Sequence, residues 1–194
     1  MESQREIFVK WIKYLFYIQV AAGVVGLLSA VPALDAIVVW VNRALSIATV
    51  VVLFKLAPLN KRYKKAAIFA GVGLALAILI VWTDMVALVL VVSIFSLVGT
   101  YQEYNGHSEM VGAMDAKLAG NWHGLFNWQI FSGIIVGLLG GVLVAVGLVA
   151  FSMSQEVLTS ITLALTNVLD LILWIIYLRF LKRTYTIYVG REEV

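Results

Sequence analysis

Residues 100–129 read TYQEYNGHSEMVGAMDAKLAGNWHGLFNWQ, and here a succession of apolar blocks stops being apolar. The stretch holds both histidines, His107 and His123, the acids Glu103, Glu109 and Asp115, and one lysine, Lys117. On either side the chain runs through long, nearly uncharged blocks joined by short turns. That contrast decides the fold class. The blocks predict membrane-spanning helices, and residues 101–128 predict the one long insertion between them.

The 194 residues are 62% hydrophobic and 13% charged, against roughly 25% charge in an ordinary soluble domain. Mean hydropathy is +0.98. In water these blocks would form one large exposed patch, whereas a bilayer is a solvent that suits them. The chain has no cysteine, which excludes disulfides and thiolate metal sites. The net charge of +3 fits a positive-inside membrane protein better than a nucleic-acid partner.

The expected architecture is an all-α integral membrane protein, a single polytopic domain over residues 1–194. Helices are predicted at about 14–31, 36–56, 66–82, 85–100, 129–151 and 157–181, paired as three hairpins. Such lengths give roughly 24–38 Å at ~1.5 Å per residue, bracketing a ~30 Å hydrocarbon core. The first block, with Lys10 and Lys13 before it, imitates a secretion signal. It is longer than a usual signal core, and Glu2 and Glu6 do not suit a signal's basic leader, so it reads as a retained helix.

Charge sets the orientation. Arg5, Lys10, Lys13, Lys55, the basic cluster 61–65, Lys117, Arg179, Lys182, Arg183 and Arg191 all fall at one end of the hairpins. The opposite turns carry only Asp35, Asp84 and Glu156. This pattern puts both termini and the 101–128 insertion in the cytoplasm, with the protein in the cell membrane. Trp11, Tyr14, Tyr17, Tyr63, Tyr101, Tyr104, Trp122, Trp128, Trp174 and Tyr177 are expected as aromatic anchors on that side.

Small residues recur four apart on the odd helices: Ala22, Gly26, Ala30; Ala67, Gly71, Ala75; and Gly133, Gly137, Gly141. Each triplet predicts a seam for close helix packing. A faint repeat also appears, Leu15, Phe16, Gln19 and Gly23 recurring as Leu125, Phe126, Gln129 and Gly133.

Deep polar residues need a reason. Arg43 lies roughly 12 Å below the Asp35 turn, and Asp170 roughly 21 Å below Glu156, at 1.5 Å per residue. Each costs ~2.5–3.5 kcal/mol at the bilayer centre, so neither should face lipid. With Asn42 and Asn167 they form the candidate intramembrane site, read either as an ion pair joining helices or as a polar path for a solute.

In the insertion, Glu103 and His107 are four apart and share a face if the fourth helix continues. A Glu103/His107/His123 metal site is conceivable, but the spacing matches no metal motif, and the expectation is no metal and no cofactor. Ser108 is expected to cap a short interfacial helix with Met110, Val111, Met114 and Leu118 on one side. Glu103, His107, Glu109, Asp115 and His123 are the candidates for contact with a protein partner on the cytoplasmic side. The tail 184–189 alternates enough to be extended or frayed.

No Gly-x-Ser-x-Gly or phosphate-cradling loop occurs, which argues against an enzyme. The sequence reads first as a small transporter or channel subunit, second as a non-catalytic subunit docking a partner, third as a membrane enzyme of unfamiliar type. Its surroundings are the lipid bilayer, and a homo-oligomer is compatible with it; no nucleic acid is expected.

Overall fold

The computed structural model describes residues 3–28, 32–83, 87–150 and 154–190. Among them stand six α-helices and no strand: α1 (Gln4–Leu28), α2 (Asp35–Leu56), α3 (Lys61–Thr83), α4 (Ala87–Val111), α5 (Ala116–Ala150) and α6 (Gln155–Val189). A short 3₁₀ turn, Pro32–Leu34, leads into α2, where the sequence predicts a turn. The turns expected at Asp84 and at Ser152 fall outside the described residues. Four helices are long and apolar enough to cross a membrane: Gln4–Leu28, Ala36–Leu56, Lys61–Ile80 and Gln155–Val189. Only 6–22% of each apolar window is buried within the protein, as expected of surfaces that lipid covers.

Most of the helices are longer than the apolar blocks, and the starts of α1, α3 and α5 are encoded by polar caps. Ser3 and Glu6 form a reciprocal capping box at α1, the Glu6 N–H donating to Ser3 Oγ at 3.2 Å and the Ser3 N–H to Glu6 Oε2 at 2.6 Å. Asn60 Oδ1 accepts the Arg62 N–H at 2.8 Å to open α3, and Asp115 Oδ1 accepts the Leu118 N–H at 2.8 Å to open α5. Apolar content marks where lipid begins. Caps mark where the helix begins.

The long insertion is therefore corrected. Residues 101–111 continue α4, Gly112–Met114 turn, and α5 is under way from Ala116. Ser108 is not a cap but lies inside α4, donating its hydroxyl to the Ala119 carbonyl at 3.0 Å. The tail is corrected too, because residues 184–189 complete α6 as helix. Its end is held: Tyr188 donates to the Met110 carbonyl at 2.7 Å, and Arg5 Nε donates to the Tyr188 carbonyl at 2.9 Å.

By packing, the chain divides into two units, residues 1–123 with 178–194, and residues 124–177. In the first, the tightest core lies among the polar-flanked helix ends. Phe8, Ile12 and Leu15 of α1, Leu53 and Leu56 of α2, Tyr63 of α3, Val111 of α4, Leu118 and Trp122 of α5 and Leu181 of α6 are all buried there. Tyr63, Tyr104 and Trp122 are thus packing residues and not interfacial anchors, while Tyr14, Tyr17 and Tyr101 are exposed; in the second unit Tyr177 is buried and Trp128 exposed. In the second unit Leu158 is buried, and a Cβ on Gly140 would stand 2.9 Å from Thr162 Cγ2.

The glycine seams are revised in part: in the α3 triplet Ala67 is buried and a Cβ on Gly71 would meet Val50 Cγ1 of α2 at 3.7 Å, as a packing seam requires. A Cβ on Gly26, Gly133 or Gly137 would meet nothing within 4 Å. Close approach occurs between α3 and α4, where a Cβ on Gly99 would lie 3.3 Å from the Ala70 nitrogen and one on Gly106 only 2.9 Å from the Tyr63 ring. There the missing side chain is what lets the helices meet.

Candidate functional site: a polar cleft ending at Glu103 and His107

Two stripes of polar residues face each other in the first unit. On α2, Asn42, Ser46 and Thr49 recur at helical spacing, and on α4, Ser96, Thr100 and Glu103 do the same. Gln19 of α1 joins them, its amide 3.5 Å from Thr49 Oγ1. Between these helices and α3 lies a cavity of about 420 Å³, within the roughly 300–1,000 Å³ of ligand pockets. Its lining runs from Asn42 to Leu53 on α2 and from Val92 to Glu103 on α4. Twelve residues of helix, eleven rises of ~1.5 Å, span roughly 16 Å, about half of a ~30 Å hydrocarbon core.

The hydroxyls are kept in the helix by back-bonding, Ser46 to the Asn42 carbonyl at 2.8 Å and Thr49 to that of Leu45 at 3.0 Å. Their oxygens retain acceptor capacity toward the cleft. Alanine and glycine supply the room, Ala22, Ala70, Gly73, Ala77 and Gly99 all belonging to the lining.

At one end Glu103 meets a buried aromatic cluster. His107, one turn on and fully buried, accepts or donates a 2.9 Å hydrogen bond between Nδ1 and the Tyr63 hydroxyl. Its Nε2 lies 3.5 Å from Glu103 Oε1, without the alignment of a hydrogen bond. Trp122 stacks on the imidazole at 4.6 Å between centroids and donates its N–H to Thr184 Oγ1 at 3.3 Å. Tyr104 packs on the same indole at 5.4 Å. Burial first, and then the Glu103 charge, push the Tyr104 phenol far above its ordinary value, so it stays neutral.

Glu103 and His107 do share a face, as their spacing predicts. His123 does not join them: it is exposed, its Nε2 3.0 Å from Ser108 Oγ. Since that hydroxyl proton goes to Ala119, Nε2–H is the donor to Ser108. Among the described residues no three His, Asp or Glu side chains converge as a metal site would require.

Glu109 receives Asn60 Nδ2 and Arg62 Nε, each at 2.9 Å. Burial raises its carboxyl, but the Asn60 and Arg62 hydrogen bonds and the Arg62 and Lys61 charges outweigh that and bring it below its usual value. Asp115 is lowered first by its cap bond from Leu118, then by Arg183 Nη2 at 2.6 Å.

Of the predicted intramembrane residues, Asn42 lines the cavity. Arg43, half-buried beside it, holds its guanidinium 5.6 Å from the Trp40 ring centroid. Asn167 and Asp170 are exposed on α6 within the second unit. Gln19, Thr49, Ser96 and Thr100 escape the sequence reading, although the i, i+4, i+7 spacing of Ser96, Thr100 and Glu103 is the trace that could have found the α4 stripe. Comparison with known protein families, with curated proteins and with solved structures finds no match to the chain.

Proposed function

We propose that this chain is a small multi-pass transporter or channel subunit of the cell membrane, with six spans and both termini in the cytoplasm. Basic helix ends support that topology by meeting one another. Lys55 lies 6.0 Å from the Trp11 ring, Arg5 binds the end of α6, and Arg183 of α6 binds Asp115 at the head of α5. A shared side for these ends is what three hairpins with a positive inside require.

The observation that carries the transport reading is the polar cleft. Amides, hydroxyls and a carboxylate placed among apolar helices cost free energy unless they solvate something, either one another or a passing solute. A roughly 16 Å cleft lined on facing helices suits a solute. On this reading Asn42 is a lining residue, and Arg43, Asn167 and Asp170 are further polar residues of the spans. The docking alternative gains no comparable observation, since Glu109 and Asp115 are already engaged by Arg62 and Arg183.

Proteoliposomes loaded with pyranine and given gradients of protons, potassium chloride or glycerol test the reading. We expect permeation above protein-free vesicles, lowered by Asn42→Leu and by Asp170→Asn with unchanged melting in detergent. Permeation no greater than in empty vesicles, or losses that merely follow stability, would remove it.

A further inference from the structure

We infer that the basic end of the α1–α2 pair holds a phospholipid of net negative charge, its phosphate between Lys13 and Lys55 and its acyl chains along the two helices. Both helices are long and apolar enough to cross a membrane, and they pack on each other. Lys55, in the last turn of α2, holds its Nζ 6.0 Å from the centroid of the Trp11 ring. The Trp11 ring lies 5.5 Å from that of Tyr14. Tyr14, Tyr17 and Lys13 are all exposed on α1. At ~100° per residue, their order around the helix is Trp11, Tyr14, Tyr17, Lys13. Two phenols thus fill the arc between two ammonium groups, one from each helix.

The chemistry of this arc selects its occupant. The ion pairs at this end of the described residues join Arg62 to Glu109 and Arg183 to Asp115, and no carboxylate meets Lys13 or Lys55. Phosphate oxygens suit both, with the phenol O–H groups as further donors. Away from the arc the exposed side chains turn apolar, Tyr17 being followed by Val24 on α1 and Lys55 preceded by Val51 and Ile47 on α2. From Lys13 to Val24, and from Lys55 to Ala44, is roughly 16 Å at ~1.5 Å per residue, about one leaflet of a ~30 Å core. Charge followed by one leaflet of apolar surface is the shape of a phospholipid and not of a soluble anion. A zwitterionic head brings its own ammonium to the lysines and loses the gain. A second copy related by a two-fold axis would set lysine against lysine.

This site is separate from the cleft, whose lining includes none of Lys13, Tyr14, Tyr17 and Lys55. It requires only that α1 and α2 cross a membrane, and it stands whether or not the cleft passes a solute. The lipid would bridge α1 to α2 at the level where Ile12, Leu15, Leu53 and Leu56 are buried. A ligand of the folded state stabilises it, so occupancy should raise the melting temperature.

The test is native mass spectrometry of the detergent-purified protein with equimolar phosphatidylglycerol and phosphatidylcholine of the same acyl chains. Lysines at a membrane surface favour anionic lipid by about fivefold each, so the first lipid retained should be phosphatidylglycerol by at least about tenfold. Lys13→Gln combined with Lys55→Gln should bring the two lipids toward parity, with melting in lipid-free detergent unchanged. Lys64→Gln combined with Lys65→Gln removes the same charge from exposed positions of α3 and should leave the preference as it was. Should the first double variant not fold, the single variants decide, each expected to lose about fivefold. Equal retention of the two lipids by the parent overturns the inference, as does a preference that survives loss of both Lys13 and Lys55. An equal loss in the α3 variant would mean a diffuse basic belt and would also overturn it. Displacement of the lipid by equimolar inorganic phosphate would give the lysines to a free anion, and a lipid-free dimer abolished by the Lys13 and Lys55 changes would give the face to a second copy; either removes the lipid. Parity of the lipids with vesicle permeation intact would remove this site alone. A clear preference without permeation would leave the site and remove the transport reading.

Discussion

The Tyr63 hydroxyl lies 2.9 Å from Nδ1 of His107, tying the first turn of α3 to a segment of α4 that is 44 residues further on. Both rings are fully buried, so neither partner can exchange this bond for one to water. His107 already lacks an aligned partner at Nε2. Removing the hydroxyl would leave both ring nitrogens without one.

Tyr63→Phe is accordingly expected to destabilise the protein by ~1–3 kcal/mol, the cost of a stranded buried polar group. Thermal unfolding in detergent measures it. His107→Phe in the same background should recover part of the loss, because it removes the stranded group along with its partner. A double variant less stable than Tyr63→Phe would show that the imidazole is held by something other than this bond.

Glycine substitutions should divide by position. Gly106→Ala drives a methyl to 2.9 Å from the Tyr63 ring, which is itself fully buried. A loss of ~1–3 kcal/mol is expected from such overpacking. Gly137→Ala meets nothing within 4 Å, and should be neutral or stabilising by up to ~1 kcal/mol through helix propensity. Melting of the two variants side by side is the measurement. A destabilised Gly137→Ala, with its loss dependent on protein concentration, would instead reveal a second copy on that face.

These positions also show what the sequence makes legible. Apolar runs locate α2 almost to the residue, since Asp35 and the Ala57-Pro58 turn bound it sharply. They misplace the starts of α1, α3 and α5, because hydropathy senses lipid whereas Ser3, Asn60 and Asp115 set the helix ends by capping. Glu103 and His107 could be paired from spacing alone, since one helix carries both. Tyr63 and Trp122 come to them from α3 and α5, and no local pattern brings residues from three helices together. The cleft is intermediate: each stripe is periodic and readable, yet only the packing of α2 on α3 and of α3 on α4 turns the stripes toward one space.

Acid should loosen the helix ends before it touches the spans. Glu109 and Asp115 both have carboxyls lowered in the folded protein, by Asn60 with Arg62 and by the Leu118 N–H with Arg183. A depressed folded pKa contributes stability that is present above the unfolded value, about 4 for these groups, and is lost as pH falls through the folded one. Melting temperature should therefore hold between about pH 7 and 5 on their account and decline below about pH 4. The decline should be shallow, since both ion pairs are partly open to solvent. Arg62→Gln and Arg183→Gln should lower the plateau slightly and flatten the acid limb, because the carboxyls then return toward ordinary values. An acid limb unchanged in both variants would place the sensitive carboxylate elsewhere, and Glu103 beside the buried imidazole would be the next to substitute.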